Sequence, residues 1–190
     1  MTNTVRPWSR WSLLPGGLRV ACALLLLSLS LAPRAAVAQS PEVMKAAFIF
    51  NFAKLTEWPA TAFADDKARI CVGFVGAAPM ADTFEKAITG KNANGREFEV
   101  KRLDGAAGAE ACHIVFVGEA AKTGDVIGQV KGKPVLTISD ADAFAGAGGM
   151  IGFLVDGGKI GFELNLASAN AVSLKFNDKL KQLAKTVKGG

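Results

Sequence analysis

From residue 41 onward, the chain alternates between short apolar runs and longer segments in which apolar residues recur every three or four positions. The first pattern is typical of strands buried on both faces of a sheet, and the second of helices that pack one face against a core. The pattern predicts helices at 41–58, 79–89 and 119–130, and strands at 69–75, 96–103, 112–117 and 134–138. Regular alternation of strand and helix favours a parallel sheet with right-handed crossovers.

The pattern changes in the last third of the chain. Residues 150–155 and 159–164 are two β-type runs around Asp156-Gly157-Gly158, which predicts an antiparallel hairpin. Helical segments follow near 166–171 and 177–187. The expected fold class is therefore α/β: a mostly parallel sheet flanked by helices on both faces, with a C-terminal antiparallel hairpin.

The first predicted helix is apolar on two opposite faces, judged at the usual 100° per residue. The residues of the face expected to meet the core are Met44, Phe48, Phe52 and Leu55. Such a helix is either buried on both sides or keeps its second face for a partner protein or for a second copy in a homodimer. The residues of that second face, our candidate partner contacts, are Val43, Phe50, Lys54 and Glu57.

The first 38 residues have the order of features found in a secretory signal peptide. Arginines precede an apolar run at 20–33, and Ala36-Val37-Ala38 then offers the small residues that suit a signal peptidase. The run has 14 residues, whereas roughly 20 are needed to span a bilayer. We therefore predict a signal peptide at 1–38, export to the periplasm, and a single domain at 39–190 that does not span the membrane.

The positive charge of the chain belongs mostly to this predicted signal. The whole chain has 22 Lys and Arg against 17 Asp and Glu, and residues 1–38 hold four of the basic residues and none of the acidic ones. The remaining 18 basic and 17 acidic side chains nearly cancel. Charge therefore gives no reason to expect a nucleic-acid partner.

The residue types needed for catalysis are sparse. The one histidine, His113, follows Cys112, and neighbours on a strand point to opposite faces, so the two do not form a nucleophilic pair. One histidine with Cys71 and Cys112 is too few for a closed zinc site. We expect no catalytic residues, no metal and no cofactor. An even number of cysteines in an exported domain favours a disulfide between Cys71 and Cys112, and two buried thiols are the alternative.

Ligands in open α/β sheets usually bind beyond the carboxyl ends of the strands. The residues predicted near that edge, which define a candidate small-molecule pocket, are Gly76, Asp140 and Gly148. Asp140 also suits a helix cap, and the glycines also suit turns, so structural roles remain open. Glu163 and Asn165 are expected on the outer face of the hairpin, either solvated or as part of a binding surface.

Several segments in order resemble the YfiR-type family of periplasmic domains. They are KAAFIFNFAKLTEWP (45–59), CHIVFV (112–117), PVLTISD with the following FAGAGG (134–149), IGFELNL (160–166) and the closing helix (174–184). Each motif is modest alone, but together they extend over about residues 43–186. The chain is thus similar to this family along nearly all of its predicted mature length.

The resemblance implies a repressor without catalytic residues that binds the periplasmic sensor part of an inner-membrane diguanylate cyclase. Release of the cyclase would raise cyclic di-GMP and promote biofilm formation. Family members also occur beside sensor kinases, so the alternative is a periplasmic small-molecule-binding sensor module that partners a sensor kinase. Members are redox-sensitive through disulfides. Cys71 and Cys112 match one family bridge between neighbouring strands, and no other mature-chain cysteine is available for a second.

Overall fold

The structure is a computed structural model that describes residues 40–119 and 121–189. The predicted signal peptide at 1–38 lies outside the described residues, so its cleavage stays a prediction. The helices are α1 (Pro41–Leu55), α2 (Ala78–Ile88), α3 (Thr123–Gln129), α4 (Leu166–Asn170) and α5 (Asp178–Leu183). The strands are β1 (Thr56–Glu57), β2 (Ile70–Val75), β3 (Phe98–Leu103), β4 (Ile114–Val117), β5 (Leu136–Ser139), β6 (Ile151–Asp156), β7 (Lys159–Asn165), β8 (Lys175–Phe176) and β9 (Thr186–Lys188).

Seven strands form one sheet in the order β3-β2-β4-β5-β6-β7-β9. The first five run parallel to one another, and β7 returns antiparallel to β6 as the second arm of a hairpin. Strand β9 then pairs parallel to β7. This arrangement confirms the predicted fold class, a mostly parallel sheet with a C-terminal antiparallel hairpin.

Strands β2, β4 and β5 are buried along their whole length, which accounts for their uninterrupted apolar sequences. Alternate side chains enter two core clusters on opposite faces of the sheet. The larger cluster includes Phe74 and Phe116 and packs under α1, α2 and α5. The smaller cluster includes Val75 and Val117 and packs under α3. Helices therefore cover both faces, as predicted.

Helix α1 ends at Leu55, three residues before the predicted end at Trp58. Thr56 and the residue after it leave the helix as strand β1 and pair antiparallel with β8, with Thr56 opposite Phe176. The backbone N–H of Asn177 also donates to the Leu55 carbonyl oxygen (2.9 Å). Pairing with a segment about 120 residues away thus ends the helix before the proline does.

Helix α1 is buried on two sides, and its core face differs from the predicted one. Its fully buried side chains are Ala46, Ile49, Phe52 and Ala53. The other residues of the predicted face are half-buried, and of these Phe48 contacts the ring of Phe162, with 5.7 Å between ring centroids. On another side of the helix, Phe50 contacts Phe98 of β3 (5.8 Å). Core contacts on both sides explain why the helix carries no simple apolar stripe.

The predicted last helix, 177–187, is correct only in its first half. Helix α5 ends at Leu183, and the chain then forms β9 along β7, where the Lys185 N–H donates to the Phe162 carbonyl oxygen (2.9 Å). The open edge of β7 offers backbone partners that a longer exposed helix would not use. None of the helices in the described residues has the length and apolarity needed to cross a bilayer.

Candidate functional site

Two of the three residues of the predicted ligand pocket, Gly76 and Asp140, lie at the carboxyl edge of the parallel strands, whereas Gly148 precedes the amino end of β6. Gly76 follows β2 with a φ of +61°, Asp140 follows β5, and Gly148 lies in the loop before β6 with a φ of +102°. The two surface pockets described below are lined by other residues. A ligand-binding role for Gly76, Asp140 and Gly148 therefore stays a prediction.

The Asp140 carboxylate forms an ion pair with Lys45 inside the protein. Its Oδ2 lies 2.6 Å from the Lys45 ammonium of α1, and the two side chains are only 18% and 13% exposed. The second oxygen, Oδ1, is buried without a hydrogen-bond partner. Because the pair is largely desolvated, its charges attract more strongly than on the surface, and it ties the first half of α1 to the loop after β5.

Glu163 and Asn165 of β7 are not solvated surface residues. Glu163 is 7% exposed, and its Oε2 lies 2.8 Å from the Lys188 ammonium on β9. The Asn165 side chain accepts from the Ser168 N–H (3.0 Å) and donates to the Ala145 carbonyl oxygen (2.8 Å). The Lys188 side chain, from the neighbouring strand β9, and the loop before β6 therefore lie over this face of the hairpin and are bonded to Glu163 and Asn165.

The candidate partner surface is only partly a surface. Val43 is 41% exposed, and Lys54 and Glu57 are exposed as well. Phe50 is half-buried against Phe98, with the ammonium groups of Lys54 and Lys91 5.6 and 5.4 Å from its ring centroid. Glu57 lies in β1 and not on the helix, because α1 ends earlier than predicted. The placement of all four residues on one helical face is therefore wrong for Glu57, and their role in binding stays a prediction.

Exposed apolar side chains also occur near the C-terminal half of the fold. They are Val155 of the hairpin, Leu183 of α5 and Val187 of β9. Leu183 and Val187 both fall in the predicted helix 177–187, whereas in the structure Leu183 ends α5 and Val187 lies in β9.

Cys71 and Cys112 lie side by side in the smaller core cluster as unbonded thiols. A hydrogen bond to Cys112, together with burial, raises the pKa of the Cys71 thiol, and the same bond lowers the pKa of the Cys112 thiol. A Cβ at Gly73 would lie 3.1 Å from the Cys112 sulfur, so glycine leaves room for that side chain. Because its pKa is the lower one, Cys112 is the thiol that ionises first. The predicted disulfide between the two cysteines is untested and stays a prediction.

His113 points away from the cysteines and holds the loop between β1 and β2. Its Nδ1 accepts from the Cys71 N–H (3.0 Å), so Nε2 carries the proton that is donated to the Ala62 carbonyl oxygen (3.1 Å). Its imidazole ring stacks on the phenyl ring of Phe63, with 4.3 Å between the centroids. The Arg96 guanidinium lies 4.0 Å from the centroid of that phenyl ring. Burial lowers the pKa of His113, which keeps the imidazole neutral in this bonding scheme.

The same loop forms one wall of a surface pocket of about 510 Å³ at the amino edge of the sheet, which we call the amino-edge pocket. It is lined by Thr56, Glu57, Trp58, Pro59, Ala60, Phe63, Ala64, Asp65, Asp66, Ile70, Ala93, Asn94 and Arg96. Its lining residues come from two segments, 56–70 and 93–96, that meet only in the folded chain, so no local sequence pattern indicates this pocket. A second pocket, of about 420 Å³, lies between the end of α2 and β3.

Two solved structures resemble this fold. The first is a conserved domain protein from Vibrio cholerae O1 biovar eltor str. N16961, with a TM-score of 0.52 and 10% identity, covering 78% of this chain and 60% of that one. The second is an ABC domain in complex with L-Trp from Streptococcus pneumonia, with a TM-score of 0.48 and 11% identity, covering 73% and 61%. This chain thus spans about three-fifths of the length of each. The first likeness supports the α/β fold and nothing further.

No curated protein matches the sequence. A family model described as YfiR/HmsC-like matches residues 42–185, which is most of the chain and nearly all of the described part. The family consists of regulatory periplasmic domains that act on membrane diguanylate cyclases. The order of segments noted in the sequence and the observed α/β fold agree with that match. The chain belongs to the YfiR/HmsC-like family.

Proposed function

We propose that this protein represses an inner-membrane diguanylate cyclase by binding the periplasmic sensor part of that enzyme. The observation that carries the proposal is the family match over residues 42–185. Repression in this scheme is a binding equilibrium: the cyclase is inactive while bound, and its release raises cyclic di-GMP and promotes biofilm formation. No step of the scheme needs chemistry from this chain.

The arrangement of charged groups supports a binding role over a catalytic one. The carboxylates of the carboxyl edge are used inside the protein, Asp140 by Lys45 and Glu163 by Lys188. Within the described residues, no group of three or more His, Cys, Asp or Glu side chains is placed to hold a metal. Ion pairs of this kind fix neighbouring elements to each other, so these two carboxylates have a structural role.

The exposed part of the α1 surface is the proposed contact. Val43 and Lys54 are exposed, so they are accessible to a partner without any rearrangement of the core. The two residues lie about three turns apart on α1, so a partner along this helix would meet an apolar side chain near one end and a charged one near the other. Phe50 is a poorer probe of binding, because a Phe50→Asp substitution would also disturb its packing on Phe98.

The proposal is tested by the cyclic di-GMP content of cells that carry the cyclase. Deleting the gene for this chain is expected to raise cyclic di-GMP, and restoring the wild-type chain is expected to lower it. A Val43→Asp, Lys54→Glu double variant is expected to fold normally by circular dichroism and to fail to restore repression. The matched control, Asp104→Asn on an exposed loop, is expected to restore it. Unchanged cyclic di-GMP after deletion would refute the proposal.

Export is a separate part of the proposal. Residues 1–38 are proposed to direct the chain to the periplasm and to be cleaved after Ala38. The N-terminal sequence of the protein recovered from the periplasmic fraction is expected to begin at Gln39. Protein found only in the cytoplasm would exclude contact with a periplasmic sensor domain. Sedimentation of the same material tests the proposed homodimer.

A further inference from the structure

We propose that the chain forms a homodimer in which strand β3 pairs antiparallel with β3 of a second copy, so that the sheet continues through the interface. The sequence alone pointed to the second face of α1 for such a contact, whereas the edge of the sheet supplies both a place and a register. The inference goes beyond the repressor function, because it concerns the purified chain and needs no membrane partner.

Strand β3 is a long, regular edge strand. Within residues 40–119 and 121–189 it forms one end of the seven-stranded sheet, and the other end is the shorter strand β9. Residues 98–103 pair one to one with 70–75 of β2 and contain neither a bulge nor a proline. A bulge or a proline blunts an exposed edge against pairing, so an edge without them is a template for another strand.

The backbone of β3 presents hydrogen-bonding groups along this open edge. The Ile70 N–H donates to the Glu97 carbonyl oxygen (2.8 Å), so the odd-numbered residues of this segment bond to β2. Alternate residues of a strand direct their N–H and C=O groups to opposite sides, so the even-numbered residues direct theirs away from β2. In the part of the chain that the structure describes, these outward groups make no hydrogen bond, and they belong to Phe98, Val100 and Arg102.

One antiparallel register pairs all of these outward groups. When Val100 lies opposite Val100 of the second copy across a two-fold axis, Phe98 lies opposite Arg102, and all three residues occupy hydrogen-bonded positions. Each such pair exchanges two bonds, which gives about six bonds across the interface. Because the same surface is used by both copies, the interface is closed and the assembly ends at a dimer.

The charges of β3 favour the same register. In a single copy, Glu99 and Lys101 form only a loose ion pair (3.6 Å), with their side chains 48% and 41% exposed. In the proposed dimer each Glu99 lies opposite Lys101 of the second copy, at the positions where cross-strand side chains approach most closely. A slip of two residues in either direction would instead place Glu99 opposite Glu99 or Lys101 opposite Lys101. Charge complementarity therefore selects the register that also pairs the backbone.

Charge reversal at these two positions separates this interface from any other. In sedimentation equilibrium of protein purified from cells expressing residues 1–190, we expect a dimer that dissociates on dilution. Glu99→Lys and Lys101→Glu each place like charges opposite each other, so each is expected to raise the Kd of the dimer about tenfold. The double variant Glu99→Lys, Lys101→Glu restores opposite charges and is expected to dimerise like the wild type. Lys179→Glu, at an exposed position of α5, is the control that should leave the Kd unchanged.

Mixing the two single variants tests the register directly. One variant has lysine at both positions and the other has glutamate at both, so the mixture is expected to form a heterodimer although each variant dimerises weakly alone. Both side chains are accessible to solvent, so each variant is expected to keep the circular dichroism spectrum of the wild type. A dimer whose Kd tolerates both single reversals would overturn the proposal. A wild type that stays monomeric at millimolar concentration would also overturn it and would leave this edge free for a strand of another protein.

Discussion

The two edges of the parallel strands differ in how their polar groups are used. At the carboxyl edge, Asp140 and Glu163 are paired with lysines from other elements, and Asn165 bonds to two neighbouring backbone groups. At the amino edge, Thr56 and Trp58 line an open pocket and keep buried polar atoms without partners. The carboxyl edge is thus held by ion pairs between elements, whereas the amino edge surrounds a pocket, and each edge buries polar atoms without partners: Asp140 Oδ1 at the first, Thr56 Oγ1 and Trp58 Nε1 at the second.

A pocket lies at the end of this sheet that a general rule about open α/β sheets does not point to, and ligand binding at the carboxyl edge stays a prediction. Ligands usually bind at the carboxyl ends of parallel strands, where helix N-termini and loops converge. Here Lys45 of α1 pairs with Asp140, and Lys188 of β9 pairs with Glu163, so these two carboxylates are engaged inside the protein. The amino-edge pocket lies at the opposite end, where the loop between β1 and β2 forms a wall.

The largest expected effect concerns the predicted disulfide between Cys71 and Cys112, which lie in the smaller core cluster near the amino edge of the sheet. If Cys71 and Cys112 form the predicted disulfide, the bond closes a loop of about 40 residues and contributes about 4 kcal/mol to the free energy of unfolding. Reductant is then expected to lower the midpoint of denaturant unfolding of air-oxidised protein. A Cys71→Ala, Cys112→Ala variant should not respond to reductant. An identical midpoint with and without reductant in the wild type would contradict the bond.

The next effect tests how firmly the carboxyl edge is held. Lys45→Met leaves the Asp140 carboxylate partly buried without its cation and is expected to lower the free energy of unfolding by roughly 3 kcal/mol. Lys45→Met with Asp140→Leu should recover most of the loss, because an apolar pair replaces the ion pair. Lys86→Met, on an exposed position of α2, is the control and should change stability by less than about 0.5 kcal/mol. Equal stability of Lys45→Met and the wild type would show that the carboxyl edge does not depend on this pair.

The smallest effect concerns the loop that forms the amino-edge pocket. Burial lowers the pKa of His113 below its usual 6.5, so the unfolded chain takes up a proton before the folded one does. The stability that depends on neutral His113 is therefore complete above pH 6.5 and is lost as the pH falls below it. The expected slope is at most about 1.4 kcal/mol per pH unit, the limit for one proton.

His113→Gln is the matched variant, because His113 is the only histidine of the chain. Unfolding free energies measured from about pH 7 down to about pH 5.5 should lose this slope in the variant, since the carboxylates titrate mainly at lower pH. The same slope in both proteins would mean that another group controls the loop.

The central part of the fold could be predicted from local patterns, and its margins could not. The buried strands β2, β4 and β5 and the hairpin around Asp156-Gly157-Gly158 have patterns that depend only on neighbouring residues. The early end of α1 at Leu55 and the conversion of the last helical turns into β9 depend on pairing with β8 and β7.

The same limit applies to the candidate sites. Glu163 was expected to be solvated because the segment that pairs beside it, β9, was predicted to be helical. The ion pair of Lys45 with Asp140 joins residues 95 positions apart. The amino-edge pocket joins the loop after β1 to the Asn94-Gly95 turn, and neither segment alone contains a recognisable binding motif.

The repressor function is tested most directly by cross-linking the wild-type protein in intact cells, purifying it from the envelope and identifying the attached membrane proteins by mass. We expect a diguanylate cyclase, cross-linked through its periplasmic part and recovered in smaller amount with the Val43→Asp, Lys54→Glu variant. A sensor kinase without a cyclase, or no membrane protein at all, would contradict it.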